Sequence, residues 1–245
     1  MLAIDPEKQT TGFVAGPAGV IRAVCPARFV EKNTIFQWIG EVLFRNPNPI
    51  VLGNVPFLEN VKTGKDVGKI DNIIVNGDST PMQWAALEIQ AVYLSGCNQE
   101  AALQHIAAHP EENYPITNEM GRPDYRSSSV KRLMPQLQIK VPMVSRWGKR
   151  MTVVVDEGFF DSLGHMNFEP DLSRADIAWF VVGYDEIDNG ITLSRREVKY
   201  TTLVESVAGL TSGRAISLEE FEEKIRTKMR KRAVGLTLPN PDSAQ

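Results

Sequence analysis

Apolar residues in the first third of the chain change from a helical to a strand-like spacing. The segment ARFVEKNTIFQWIGEVLF, residues 27–44, is predicted to be an amphipathic helix, because its apolar stripe is formed by Phe29, Phe36, Ile39 and Leu43. Asn-Pro-Asn-Pro at 46–49 then ends the helix. The runs VPFLENV and KIDNIIV follow on either side of TGKDVG, an order that predicts a β-hairpin.

Three later runs are apolar enough to be buried strands. WAALEIQAVYL is apolar on both faces, which predicts a strand in the middle of a sheet. MTVVVD and DIAWFVVGYD also read as buried strands, with the helical turn EGFFDSLG between them.

Three further segments have helical character. Residues 99–109 form a short predicted helix stopped by Pro110, and residues 127–147 are partly helical, with Pro135 and Pro142 expected to kink or break the helix. SLEEFEEKIRTKMRKR is predicted to be a helix with a capping box at its start, Ser217 and Glu220. The order of helices and strands predicts one α/β domain with a mixed β-sheet flanked by helices. We expect it to span 25–235, between an irregular lead-in at 1–24 and a tail at 236–245.

Composition places the chain among ordinary globular proteins. It has 245 residues, of which 42% are hydrophobic and 23% charged. Two cysteines, Cys25 and Cys97, do not make a disulfide framework, so we expect a reducing, cytoplasmic setting. We expect no membrane association, because no apolar run approaches the roughly 20 residues that a membrane helix needs.

Positive charge is concentrated in two segments, although the net charge is −3. Residues 122–150 contain eight basic residues and one acid, and residues 224–232 contain six basic residues and no acid. Such segregation can focus a positive field on one face of a mildly acidic protein. Each run taken alone is equally consistent with a solvated helix face.

Two carboxylates interrupt the apolar runs of neighbouring predicted strands. Strand alternation puts Lys69 and Asp71 on one face of the second strand, and Glu88 and Gln90 on one face of the third. If these strands pair, the acids and Gln90 converge, and two buried carboxylates need a countercharge. Mg²⁺ supplies one, which predicts metal-assisted phosphodiester hydrolysis. The alternative is that Asp71 caps the hairpin end and Glu88 pairs with a basic neighbour.

The pattern of GKIDN followed by ALEIQ resembles the PD-(D/E)XK nuclease signature, with Gln in place of the usual Lys. Longer blocks make the chain similar to the NotI-type restriction endonucleases, from about Cys25 to the C-terminal helix. These blocks are CPARF, IFQWIGE, GKIDNIIV, WAALEIQAVYLSG, RPDYRSSSVKRLMPQLQIKVP and RWGKRMTVVVD.

This resemblance implies a restriction-endonuclease-like fold and a type II enzyme that cuts double-stranded DNA with Mg²⁺ as a homodimer. It makes Asp71 and Glu88 the metal ligands and puts Gln90 in the position of the catalytic lysine. Gln carries no positive charge, and our own inference is that Lys69 supplies it. Nucleases of this fold often add another acid, for which Glu41 and Glu59 are the candidates.

Iron is one feature of the resemblance that we do not expect here. The type member of the family carries a cysteine-rich iron site ahead of its nuclease core, and such a site needs four thiolates. This sequence has Cys25 near that position and no cysteine before it. We therefore expect Cys25 and Cys97 to be buried thiols.

The basic segment that follows the predicted active-site strands is the expected DNA-binding region. Arg and Lys reach guanine acceptors in the major groove and Gln pairs with adenine, although most such contacts are with phosphate. The candidate DNA-binding residues are Arg122, Arg126, Lys131, Arg132, Gln136, Gln138 and Lys140.

Two other functions fit the same residues. The chain could act on structured or damaged DNA, as repair nucleases of this fold do. It could also be a DNA-binding module whose catalytic site has decayed, with Gln90 as the trace of that decay.

Overall fold

The structure is a computed structural model that describes residues 2–4, 20–22, 26–77, 79–95, 108, 122–187, 190–212 and 216–234. The chain divides into two compact units, Met1–Ser212 and Gly213–Gln245. Cys25 and Cys97, the predicted helix at 99–109 apart from residue 108, and the predicted tail at 236–245 lie outside the described residues. The predicted domain limits stay predictions. Within the described residues, no helix is long and apolar enough to cross a membrane.

A mixed β-sheet of six strands forms the centre of the described part of the first unit. Its strands are β3 (Ile50–Glu59), β4 (Asp66–Asn76), β5 (Gln83–Ile89), β8 (Arg150–Asp156), β9 (Ile177–Ile187) and β10 (Gly190–Thr201). Their spatial order is β10-β9-β8-β5-β4-β3. The pairs β3–β4, β4–β5 and β9–β10 are antiparallel, whereas β5–β8 and β8–β9 are parallel.

Two short antiparallel pairs stand outside this sheet. One consists of β1 (Leu2–Ile4) and β2 (Val20–Arg22), and the other of β6 (Leu94–Ser95) and β7 (Arg122–Pro123). The first pair lies in the segment that we expected to be irregular, and most of the remainder of that segment is outside the described residues.

The mixed sheet and most of the predicted strands are confirmed. The hairpin is β3 and β4, and QWAALEI forms the central strand β5, with Ala85 to Glu88 buried. The apolar pattern did not predict β10, because its sequence GITLSRREVKYT is polar. This strand occupies an edge of the sheet, where charged side chains meet water.

Helices cover the sheet and connect its strands. Residues 27–44, expected to be one helix, divide into a 3₁₀ helix at Pro26–Asn33 and an α-helix, because Lys32 and Asn33 adopt left-handed φ angles of 54° and 58°. Pro135 stands just after the change from a π-helix, Ser127–Leu133, to an α-helix that continues past Pro142. The α-helices of the first unit are α1 (Thr34–Phe44), α2 (Met134–Arg146), α3 (Glu157–Asp161) and α4 (Leu203–Thr211).

The two faces of the sheet pack against different helices. On one face, α2 contributes Leu137, Val141 and Val144 to a core that includes Ile73 and Ala86. On the opposite face, α1 packs against a core that includes Ile74, Leu87 and Val154. Because strand residues alternate between faces, Asp71 and Glu88 share the face of Ile73 and Ala86, which is the face that α2 covers.

The second unit contains the predicted C-terminal helix, α5 (Leu218–Val234). The Ser217 hydroxyl accepts a hydrogen bond from the Glu220 backbone N–H at 3.2 Å, as the capping-box spacing predicts. Glu219 and Glu220 lie in the first turn, where the helix dipole favours negative charge.

Candidate active site

The register of β4 and β5 brings the two acids together. Asn72 pairs with Leu87 and Ile73 with Ala86 in an antiparallel ladder. Continuing this register by one residue puts Asp71 across from Glu88, at the end where β5 stops at Ile89. The predicted convergence of the two carboxylates therefore follows from strand pairing and alternation.

Lys140 of α2 reaches across the sheet to both carboxylates. Its Nζ donates hydrogen bonds to Glu88 Oε2 at 2.7 Å and to Asp71 Oδ2 at 3.3 Å. It also donates to Oε1 of Gln136, one helical turn earlier. The ammonium thus forms ion pairs with two acids from two different strands.

The apolar face of α2 explains how this lysine comes to be buried. Leu137, Lys140, Val141 and Val144 have the i, i+3, i+4, i+7 spacing of one helical stripe, and all four are buried. The lysine therefore occupies a core position of an otherwise apolar stripe. A lysine on an otherwise apolar helical stripe is therefore the sequence signal for this residue of the site.

Exposure differs sharply among the three charged groups. The side chains of Lys140 and Glu88 are 6% and 5% exposed, whereas that of Asp71 is 51% exposed. The site therefore has a closed end at Glu88 and an open end at Asp71. A substrate can approach these groups from the Asp71 side.

Burial controls the charge of Glu88. Loss of solvation raises its pKa from 4.5 to about 7; Lys140 opposes this shift and the Asp71 carboxylate adds to it. Without a metal, burial therefore favours the protonated form of Glu88. A bound cation would favour its charged form.

The described contacts of Gln90 are with neighbouring backbone groups, and the side chain of Lys69 is exposed. The backbone N–H of Gln90 donates to Val154 O at 3.0 Å, and its side-chain amide donates to Ala91 O. Lys69 is exposed on β4. The lysine that contacts the two carboxylates is Lys140, so the expectation that Lys69 supplies the charge does not agree with the described contacts.

Hydrogen bonds fix the start of the π-helix against the segment that follows β5. Asp124 N–H donates to Tyr93 O at 2.7 Å, and Tyr93 N–H donates to Ser128 Oγ at 2.8 Å. The Ser128 hydroxyl in turn donates to Asp124 O at 2.7 Å. These contacts hold the element that leads into α2 beside the strand that carries Glu88. π-Helical turns are frequent at functional sites.

The candidate DNA-binding residues divide into exposed and inward-facing groups. Arg132 stacks over the ring of Tyr93, with Cζ 3.9 Å from the ring centroid. Gln136 is half-buried and bonded to the buried Lys140. Arg122 lies in β7, where side chains are outside the described part of the structure. The exposed candidates are Arg126, Lys131, Arg132 and Gln138.

The two further acids lie in different surroundings from Asp71 and Glu88. Glu41 belongs to α1, which packs on the opposite face of the sheet, and it forms an ion pair with Arg195. Glu59 is exposed at the end of β3.

The donor set of the site fits a hard cation. In the described residues, no group of three or more His, Cys, Asp or Glu side chains could hold a metal ion. Mg²⁺ in proteins is usually held by one or two carboxylates, with water and substrate phosphate as the other ligands. The Asp71 and Glu88 carboxylates meet this requirement.

Most of the chain matches a known protein family. The family model described as Restriction endonuclease NotI matches residues 3–194 of the chain, a range that includes Asp71, Glu88 and Lys140. No curated protein sequence matches the chain.

Proposed function

The chain belongs to the NotI restriction endonuclease family, since the matched residues make up more than half of its length, and we propose that it cuts double-stranded DNA at a specific sequence with Mg²⁺ bound by Asp71 and Glu88. Membership makes it a type II restriction endonuclease, a hydrolase that acts on double-stranded DNA. The observation that carries the proposal is the convergence of two carboxylates from adjacent strands on one buried ammonium group. A site of the PD-(D/E)XK type is part of the proposal.

The proposed reaction is hydrolysis of one phosphodiester bond in each strand. A water oxygen forms a bond to phosphorus while the bond from phosphorus to one ester oxygen breaks. The water loses one proton to solvent, and the leaving oxygen gains one. A bound divalent cation supplies polarisation of the phosphate and a lower pKa of a bound water.

The residues of the site have different parts in this proposal. Glu88 is the buried carboxylate that would hold the cation at the closed end of the site, and half-exposed Asp71 would hold it at the open end. Gln90 directly follows β5, and its side-chain amide donates to the backbone carbonyl of Ala91.

Sequence specificity is proposed to come from the exposed basic residues before and within α2. Arg126, Lys131 and Arg132 lie on the π-helix and the turn before it, and Gln138 is exposed on α2, the helix that carries Lys140. Lys and Arg there can bind phosphates and guanine edges. Two copies related by a two-fold axis would cut both strands of a palindromic site, which is the basis for proposing a homodimer.

Cleavage of plasmid DNA tests the proposed function. With Mg²⁺, the wild-type protein is expected to give discrete fragments, and Asp71→Asn and Glu88→Gln are expected to lose at least about 100-fold of the rate, in line with removal of a charge-stabilising group. Glu197→Gln is the matched control, because Glu197 lies on edge strand β10 and pairs with Lys199. Wild-type activity in Glu88→Gln would refute the assignment of the site.

The alternative functions give different products. A structure-specific nuclease would cut junctions or give a smear rather than discrete bands. A decayed module would bind DNA without cutting it in any divalent metal. The ammonium group of Lys140 beside Glu88 argues against loss of catalytic activity. Although position 90 is glutamine and not lysine, α2 still supplies a positive charge to the site.

A further inference from the structure

Lys140 has a position that stability alone does not explain. It is buried on the apolar stripe of α2, where Leu or Met would pack without the loss of ammonium solvation. Buried ion pairs contribute little net stability compared with well-packed apolar residues. The charge at this position therefore needs a chemical explanation.

We infer that Lys140 is a catalytic residue of the proposed hydrolysis, whose ammonium binds the reacting phosphate group and stabilises the negative charge that develops on it. This inference rests on the proposed function. It goes beyond that function because it assigns the positive charge to a helix residue far from the strand pattern, 52 positions after Glu88 in the sequence.

The contacts of the ammonium indicate which of its donors serves the substrate. An ammonium has three N–H groups, and those of Lys140 donate to Glu88, Asp71 and Gln136. The contact with Asp71 is the weakest of these hydrogen bonds, at 3.3 Å, and it lies on the open side of the site. A phosphate oxygen that enters from this side can accept the hydrogen bond in place of Asp71.

The other two contacts keep the ammonium in place during such an exchange. Glu88 Oε2, at 2.7 Å, is the anchor in the closed end of the site. Gln136 fixes the side chain from the preceding helical turn and carries no charge that competes with the phosphate. Gln136 is thus a positioning residue. Held by Glu88 and Gln136, the ammonium of Lys140 is a preorganised donor of the kind that stabilises developing charge.

A charge-relocation experiment tests this assignment. Lys140→Met keeps the approximate volume of the side chain and removes the charge. We expect its single-turnover cleavage rate with Mg²⁺ to fall roughly 100-fold or more, while Mn²⁺ binding, measured by electron paramagnetic resonance, is retained. In the double variant Gln90→Lys/Lys140→Met, a lysine on the segment that continues β5 restores the charge, and we expect at least about tenfold recovery of the rate.

Two variants provide the comparison. Lys199→Met removes a partly exposed lysine on edge strand β10 and is expected to cleave at the wild-type rate. Glu88→Gln is expected to lose Mn²⁺ binding together with cleavage, which separates loss of a ligand from loss of the ammonium.

Three outcomes distinguish failure of the inference from failure of the proposed function. Cleavage by Lys140→Met within about threefold of the wild-type rate would overturn the inference and leave the proposed function intact. A lower melting temperature with no recovery in the double variant would make Lys140 structural and also overturn it. A wild-type protein that cuts no DNA with Mg²⁺ or Mn²⁺ would refute the proposed function itself, and the inference with it.

Discussion

At the scale of single residues, the protonation of Glu88 links the site to the stability of the protein. Burial raises its pKa to about 7 in the folded state, whereas 4.5 is its ordinary value. At pH values between these two pKa values, the folded state binds more protons than the unfolded state. The contribution of Glu88 to the stability of the metal-free protein is therefore fully present below about pH 4.5 and is lost as the pH rises through 7.

This linkage gives a measurable pH dependence. A pKa difference of this size corresponds to about 3 kcal/mol of unfolding free energy lost between pH 4.5 and about pH 8. Urea denaturation in EDTA at several pH values would measure it for the wild type and for Glu88→Gln, which has no titrating group there. The expected result is a decline in the wild type that is absent from the variant, and parallel curves would contradict it.

How far the site is predictable from sequence also depends on individual residues. Asp71 and Glu88 could be found because strand alternation and pairing are local rules, and each acid interrupts an apolar run. Lys140 and Lys69 could not be distinguished in this way, because the contact of Lys140 with Glu88 depends on how α2 packs on the sheet. The lysine on the buried stripe of α2 was the available signal.

At the scale of elements, a buried hydrogen-bond network holds β9, β10 and α4 together. Trp179 Nε1 of β9 donates to Thr201 Oγ1 at 2.9 Å and to Ser206 Oγ of α4 at 3.3 Å. The two hydroxyl oxygens lie 2.7 Å apart, and all three side chains are buried. The network attaches β10, the polar edge strand that the apolar pattern did not predict, to the core of the sheet.

Thr201→Val is expected to destabilise the protein by about 1–3 kcal/mol. The substitution keeps the shape of the side chain but removes a buried hydroxyl, so the indole N–H keeps only the longer contact with Ser206. Urea denaturation would measure the change in unfolding free energy. Thr192→Val on the same strand is the matched control, expected within about 0.5 kcal/mol of the wild type. Equal stabilities of the two variants would show that the network contributes little.

Elements were more predictable than their boundaries. The strands β5, β8 and β9 could be predicted from their apolar runs, because central strands are buried on both faces. Lys32 and Asn33 divide the first helical segment through left-handed backbone angles that the apolar stripe does not encode. The π-helix before α2 is likewise set by tertiary contacts such as that between Tyr93 and Ser128.

At the scale of the whole molecule, the concentration of basic residues allows a mildly acidic chain to bind a polyanion. The net charge is −3, yet residues 122–150 contain eight basic residues and one acid. Because Lys140 is buried, it cannot reach the bases of a DNA groove. The exposed candidate DNA-binding residues Arg126, Lys131 and Arg132 lie on the segment leading into α2. DNA affinity should therefore depend on these exposed cations and on salt.

Salt-dependent DNA binding tests this separation of roles. In a Glu88→Gln background with Ca²⁺, which prevents cleavage, we expect Lys131→Ala to weaken binding to specific and non-specific duplexes alike. The slope of log affinity against log salt should become shallower by about 0.9, the value for one lost phosphate contact. Fluorescence anisotropy at several NaCl concentrations would measure both quantities. Lys199→Ala on β10 is the matched control and should keep the original slope. A larger loss on the specific duplex alone would instead make Lys131 a base-reading residue, because only base contacts discriminate between sequences.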